Sequence, residues 1–170
     1  MAQSKAVSKA REILRRMGPD VPVDVEAIAD EQGVTVVQQD LEDSVSGMLV
    51  IKDGRGIIGV NQNHHPNRRR FTMGHELGHY LLHGKKAKVF VDASPVVFRD
   101  QASSDGMQSQ EIAANSFAAE LLMPEDAVRK YVEDKLVDVY DDATIRRLAA
   151  RFGVSVQAIT IRLIRLGLAE

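Results

Sequence analysis

The feature that most constrains this chain is the run FTMGHELGHYLLH, Phe71 to His83, which carries the pattern His-Glu-x-x-His at His75, Glu76 and His79. Histidines four apart on an α-helix lie one turn above each other with Cβ atoms roughly 5–6 Å apart, so both imidazoles can close on one metal ion. Glu76 projects about 100° round the helix from His75, which aims its carboxylate beside that ion, where it can take a proton from water. The pattern suits a zinc hydrolase. It also demands a helix, and Phe71, Leu77, Leu81 and Leu82 supply the apolar stripe of a buried one. Gly74 and Gly78 break the local rule, each costing roughly 1 kcal/mol relative to Ala inside a helix. Their position beside the histidines implies the close approach of a second backbone or of a substrate. His83 continues the spacing by another turn, but three stacked histidines surround a tetrahedral ion poorly, so a supporting role is expected for it.

A catalytic zinc needs a third protein ligand and one open position. The run QSQEIAANSFAAELLMP predicts a helix from about Gln108 to Met123, stopped by Pro124. Glu111 lies near its start and shares a face with Ala114, Asn115, Ala118 and Leu122, which makes it the candidate ligand. Glu120 competes, but it falls on the opposite side and reads as solvated. Asn115 is one turn beyond Glu111, placed to hydrogen-bond a ligand or position a substrate.

Elsewhere the pattern predicts a first helix over Ser4 to Met17, stopped by Gly18-Pro19, and a second over Val25 to Gln32, ended by Gly33. The basic side chains of the first helix read as a solvated face. VTVVQQ reads as a strand. The runs GMLVI and GIIGVN, joined by Lys52-Asp53-Gly54-Arg55, read as a hairpin, because Asp-Gly suits a tight turn with two positive φ angles. An exposed edge of that hairpin would accept a substrate as an added strand. His64 and His65 are adjacent in a polar stretch and point different ways, so the helical pair is the better metal site. Arg68, Arg69 and Arg70 lead into the metal helix, either as a phosphate or partner site or as a solvated helix start. Short β-like pieces over Val89 to Phe98 and a polar loop over Arg99 to Ser109 follow; such loops often cover sites. The fold class expected is α+β, with helices on a small antiparallel sheet, a zincin-like core over residues 1–130 and a helical segment over 131–170.

Composition narrows the setting. A formal net charge of −2 gives no global electrostatic case for nucleic acid or anionic membrane as partner. The absence of Cys excludes disulfides and thiolate sites and suits the cytosol. There is no apolar h-region and no apolar run near 18 residues, so neither a signal peptide nor a membrane span is predicted.

Taken together, SGMLVI, IIGVN, RRRFTMGHELGHYLLH, the FRD at Phe98 to Asp100 and QEIAANSFAAELLMP resemble the ImmA/IrrE family of zinc metallopeptidases over roughly Pro22 to Pro124. The resemblance implies zinc held by His75, His79 and Glu111, with Glu76 as general base. It implies selective cleavage of a transcriptional repressor that has its own helix-turn-helix, in phage, mobile-element or stress-response regulation. Gly74 departs from the Ala common in members. Some stress-responsive members carry an additional C-terminal sensor domain, which is not expected in this chain, so regulation is expected through a partner or access to the site.

The tail offers a rival. DDATIRRLAARFGVSVQAITIRLIRLGLAE predicts a helix over Thr144 to Phe152, a turn at Gly153-Val154, a cap at Ser155 and a helix to Leu166, which resembles a helix-turn-helix. The alternative function is therefore a DNA-binding or repressor-binding module that acts without proteolysis. Val156, Gln157, Thr160, Ile161, Arg162 and Arg165 give the second helix few groups suited to base edges. Ile159, Ile161, Leu163, Ile164 and Leu166 favour a packed or docking helix, so direct nucleic-acid binding is the less favoured use. For the oxyanion of a hydrolysis step, Tyr80, His83, Tyr131 and the His64-His65 pair are all open candidates.

Overall fold

The structure is a computed structural model that describes residues 2–18, 20–84, 88–93 and 101–170. Among these residues there are seven helices and four strands, an α+β arrangement. Helix α1 (Ala2–Met17) buries Ala6, Ala10, Ile13 and Leu14, the stripe its spacing dictates. Helix α2 (Val25–Glu31) is capped by Asp24, whose carboxylate accepts from the Ala27 N–H at 3.0 Å. Strands β1 (Val34–Gln39), β2 (Val45–Lys52), β3 (Arg55–Asn61) and β4 (Lys88–Ala93) form one sheet in the order β1-β3-β2-β4.

The sheet is mixed rather than purely antiparallel, because β1 runs parallel to β3. The cause is the path of residues 40–44, which cross the end of β3 to start β2. Asn61, fully buried at that end, donates from its amide nitrogen to the carbonyls of Leu41, Glu42 and Val45 at 2.9–3.2 Å. One side chain thus satisfies the crossing loop's acceptors. The β2-β3 hairpin turns as expected, with φ of 52° at Asp53 and 74° at Gly54. Its expected free edge is absent: β3 pairs with β1 on one side and β2 with β4 on the other.

Helix α3 (Pro66–His83) lies on the sheet and beside α4 (Gln101–Leu122). Helix α4 begins at Gln101, so most of the loop expected over Arg99 to Ser109 is helical. Pro19, Lys85, Lys86 and the Phe98 to Asp100 string fall outside the described residues. Helix α5 (Glu125–Tyr131) leads to α6 (Asp142–Phe152) and α7 (Val156–Arg165), capped by Asp141 and Ser155. Gly153 between them takes the left-handed conformation, with φ of 62°. The core is shared: one cluster of buried side chains runs from Ala6 through Leu49, Leu77 and Phe117 to Ile159 and Leu163.

Candidate metal centre

Helix α3 presents three stripes with three jobs. Thr72, Glu76 and Tyr80, four apart, face the sheet: a Cβ on Gly47 of β2 would lie 2.4 Å from Thr72 Cγ2 and 3.9 Å from Glu76 Cγ, and one on Gly56 of β3 would lie 2.9 Å from the Tyr80 ring. Gly74 and Gly78 face α4, where a Cβ would lie 3.3 Å from Ala118 Cβ and 3.1 Å from Ala114 Cα respectively. The interior glycines admit a second backbone, as their helix-breaking cost implied. Between these stripes stand His75 and His79, 5 % and 2 % exposed.

Glu111, on the facing helix, closes the group. Its Oε2 lies 3.2 Å from His75 Nε2 and its Oε1 3.0 Å from His79 Nε2, while the two Nε2 atoms are 3.0 Å apart. Ligand atoms of His75, His79 and Glu111 all fall within 4.8 Å of one another, a set that could hold a metal ion. Asn115 Oδ1 lies 3.0 Å from His75 Nδ1. Since an amide oxygen only accepts, the His75 Nδ1 carries a proton, which leaves Nε2 turned to the carboxylate, a donor to Glu111 while it holds a proton of its own and a lone pair for a cation once that proton is lost. Facing lone pairs repel unless a proton or a cation lies between them, so the donor set fits a metal of nitrogen and oxygen preference.

The electrostatics agree. Hydrogen bonds from His75 first, then His79, hold the Glu111 carboxyl well below the usual carboxylate range, against partial burial that pushes it up. Glu76, 1 % exposed, belongs to the sheet-facing stripe beside the cluster rather than to the cluster itself.

The supporting residues divide cleanly. His83 Nε2 lies 3.3 Å from the Gln110 carbonyl, so it anchors the backbone next to Glu111, and its ring is 5.5 Å from that of His79. Phe71 stacks on His75 with centroids 6.4 Å apart and planes 27° from parallel, a contact that an apolar-stripe reading does not distinguish from core packing. Gly47 was also missed; a glycine inside a strand pattern is the signal for such close approach. Other oxyanion candidates sit elsewhere. The Tyr80 hydroxyl donates to the Gly54 carbonyl at 2.9 Å, Tyr131 meets Arg151 and Phe152, His64 Nε2 is 3.1 Å from the Asp43 carbonyl, and His65 Nδ1 accepts from the Asn67 N–H as the cap of α3. The three arginines make contacts within the fold: Arg68 donates to Ser46 Oγ, Arg69 to Gln38 Oε1, and Arg70 to the carbonyls of Val23 and Gly153.

Glu120 corrects an expectation. It does lie opposite the metal-facing side of α4, but that side is covered too, and Glu120 is 2 % exposed. Its Oε1 accepts from Arg11 of α1 at 2.9 Å and its Oε2 pairs with Arg162 of α7, which also donates to the Met123 carbonyl at 3.0 Å. The tail helix is held by the same means at its turn, where Asn67 donates to the Val154 carbonyl at 2.8 Å. Ile159 and Leu163 are buried, while Ile161 and Ile164 remain exposed, so the apolar ring read from sequence is packed on one side only.

A family model described as the IrrE N-terminal-like domain, a peptidase family, matches residues 29–163. An uncharacterized immunity region protein of Bacillus phage phi105 is 28 % identical over 104 residues, covering 61 % of this chain and 61 % of that protein. A Mycobacterium tuberculosis transcriptional regulator has the same fold, with a TM-score of 0.62 at 18 % identity; the match covers 94 % of this chain and 46 % of that one. The chain thus spans about three-fifths and about half, respectively, of these relatives. No helix among the described residues is long and apolar enough to cross a membrane.

Proposed function

This chain belongs to the peptidase family of the IrrE N-terminal-like domain, and from that premise we propose that it is a zinc-dependent endopeptidase whose substrate is a transcriptional repressor in the cytosol. The observation that carries the reading is the convergence of His75 Nε2, His79 Nε2 and the Glu111 carboxylate within 3.2 Å, beside a buried Glu76. Imidazole and carboxylate ligands with room for a fourth suit zinc in its catalytic form. When bound, zinc supplies Lewis acidity that polarises a peptide carbonyl and acidifies water.

The protein's own residues account for the remaining steps. Glu76 takes a proton from the attacking water and returns it to the leaving amine. Its burial keeps that proton away from bulk solvent. Asn115 fixes the tautomer of His75, and His83 fixes the backbone that carries Glu111. The phage immunity-region relative and the regulator of the same fold favour a substrate that controls transcription. The rival reading, a module that binds DNA through α7 without proteolysis, is weakened because Arg162 of that helix is spent inside on Glu120.

The test is metal content by mass spectrometry on wild type, Glu111→Gln and Glu76→Gln, alongside cleavage of denatured casein. Wild type and Glu76→Gln are expected to carry about one zinc each, Glu111→Gln none, and only wild type to cleave. Glu76→Gln should lose roughly a hundredfold or more in rate. Zinc retained by Glu111→Gln, or absent from every form, sinks the reading.

A further inference from the structure

A groove of about 530 Å³ separates α7 from the junction of α3 and α4. At one end its wall is shared with the metal cluster: Phe71, stacked on the His75 ring, and Asn115, bonded to His75 Nδ1, both line it. Its apolar lining is made by Ala119, Met123, Val154, Ala158 and Ile161. Ile161 is 43 % exposed there, a large apolar side chain left open to water beside a candidate active site. The volume lies within the range of about 300–1,000 Å³ usual for ligand sites.

Charge distinguishes this groove from the rest of an acidic chain. Its lining contains three arginines and no carboxylate. Arg162 is neutralised by Glu120. Arg68 donates to the neutral Ser46 hydroxyl, and Arg165 is exposed on the outer end of α7, where no ion pair holds it among the described residues. The lining therefore combines two positive charges, unanswered by any carboxylate in it, with apolar side chains.

We propose that this groove is a substrate subsite on the His75 side of the cluster, and that it takes an extended peptide segment with an apolar side chain flanked by carboxylates. The proposal rests on the endopeptidase reading and deepens it. The apolar side chain enters between α4 and α7, removing the exposed Ile161 from water against a floor that includes the buried Met123. The flanking carboxylates meet Arg68 and Arg165 at the rim, where charge contributes chiefly to selection between peptides. In this arrangement the helix-turn-helix-like segment is a wall of the peptidase cleft, and its second helix reads a polypeptide where the recognition helix of a DNA-binding helix-turn-helix reads a groove of the duplex.

The test measures binding apart from hydrolysis. Full-length Glu76→Gln protein is titrated, by fluorescence anisotropy, against three fluorescein-labelled hexapeptides: one with a central Leu flanked by Asp, one with Lys in place of Asp, and one with Ser in place of Leu. The first is expected to bind roughly tenfold tighter than either other. Adding Arg165→Glu should abolish or invert the preference for Asp over Lys, and adding Ile161→Ser should erode the preference for Leu over Ser. Equal binding of the three peptides, no binding of any, or preferences that survive both substitutions would overturn the proposal. Casein cleavage by zinc-loaded wild type is run in parallel to separate the two readings. Cleavage without peptide preference sinks the groove alone; the predicted preferences without cleavage leave a peptide-binding groove but sink the endopeptidase reading and the subsite role with it.

Discussion

Two glutamates of α4 sit in opposite surroundings. Glu111 is half-exposed and faces two imidazoles that are themselves buried, while Glu120 is buried and faces two guanidinium groups. An imidazole can release its proton to water and offer the lone pair to a metal, but a guanidinium keeps its charge at any pH a protein survives. The exposed carboxylate is therefore the one free to exchange its partners for an ion, and the buried one is fixed. Helix α4 has a candidate chemical end and a structural end, and depth alone would assign them the other way round.

The largest expected effect tests the structural end. Glu120→Ala leaves Arg162 as a buried charge without its anion and should cost about 3–5 kcal/mol, lowering the thermal midpoint by roughly 10 °C. Thermal unfolding in chelator should show Glu111→Gln changing far less; equal shifts would break the contrast. Next, Asn115→Ala should weaken zinc binding about 10–100-fold with little change in unfolding, measured by competition with a chromophoric chelator. Gly78→Ala tests the seam between the two helices. The added methyl meets Ala114 Cα at 3.1 Å, so overpacking of about 1–3 kcal/mol opposes a helix gain near 1 kcal/mol, a net loss of about 1 kcal/mol in urea unfolding. The smallest effect concerns pH. Because the folded metal-free protein holds the Glu111 carboxyl below its ordinary value, Glu111 stabilises the fold above that ordinary value of about 4.3 and loses this contribution as pH falls. Between about pH 5 and pH 3, chelated wild type should lose stability more steeply than Glu111→Gln; parallel curves would count against the pairing.

The chemical end was readable from sequence because its signals are local. His75, Glu76 and His79 share one helix, and the 3.6-residue period puts Glu111, Ala114, Asn115 and Ala118 on one face of another. The helix boundaries of α6 and α7 follow from Asp141, Gly153 and Ser155, each acting on its own turn. What failed depends on distant neighbours. Glu120 looked solvated because nothing near it in sequence shows that α1 and α7 cover it. The parallel β1-β3 pair arises from a crossing loop stabilised by Asn61, whose amide bonds carry no periodic signature. The start of α4 was misplaced because Ser103, Ser104, Asp105 and Gly106 are weak helix formers whose preference the rest of the helix overrides.

The glycine and alanine seam of Gly74 and Gly78 against Ala118 and Ala114 sets a length. It fixes how far the helix bearing His75 and His79 stands from the helix bearing Glu111, with small residues and the edge of the Phe117 ring at the contact. Metal–ligand distances tolerate only about 0.2 Å, less than a single methyl group would add to the seam. For an ion held by His75, His79 and Glu111 the seam would be a gauge block. Choice among cations of different radius would then be written in the thickness of a helix contact as much as in the identity of the ligands.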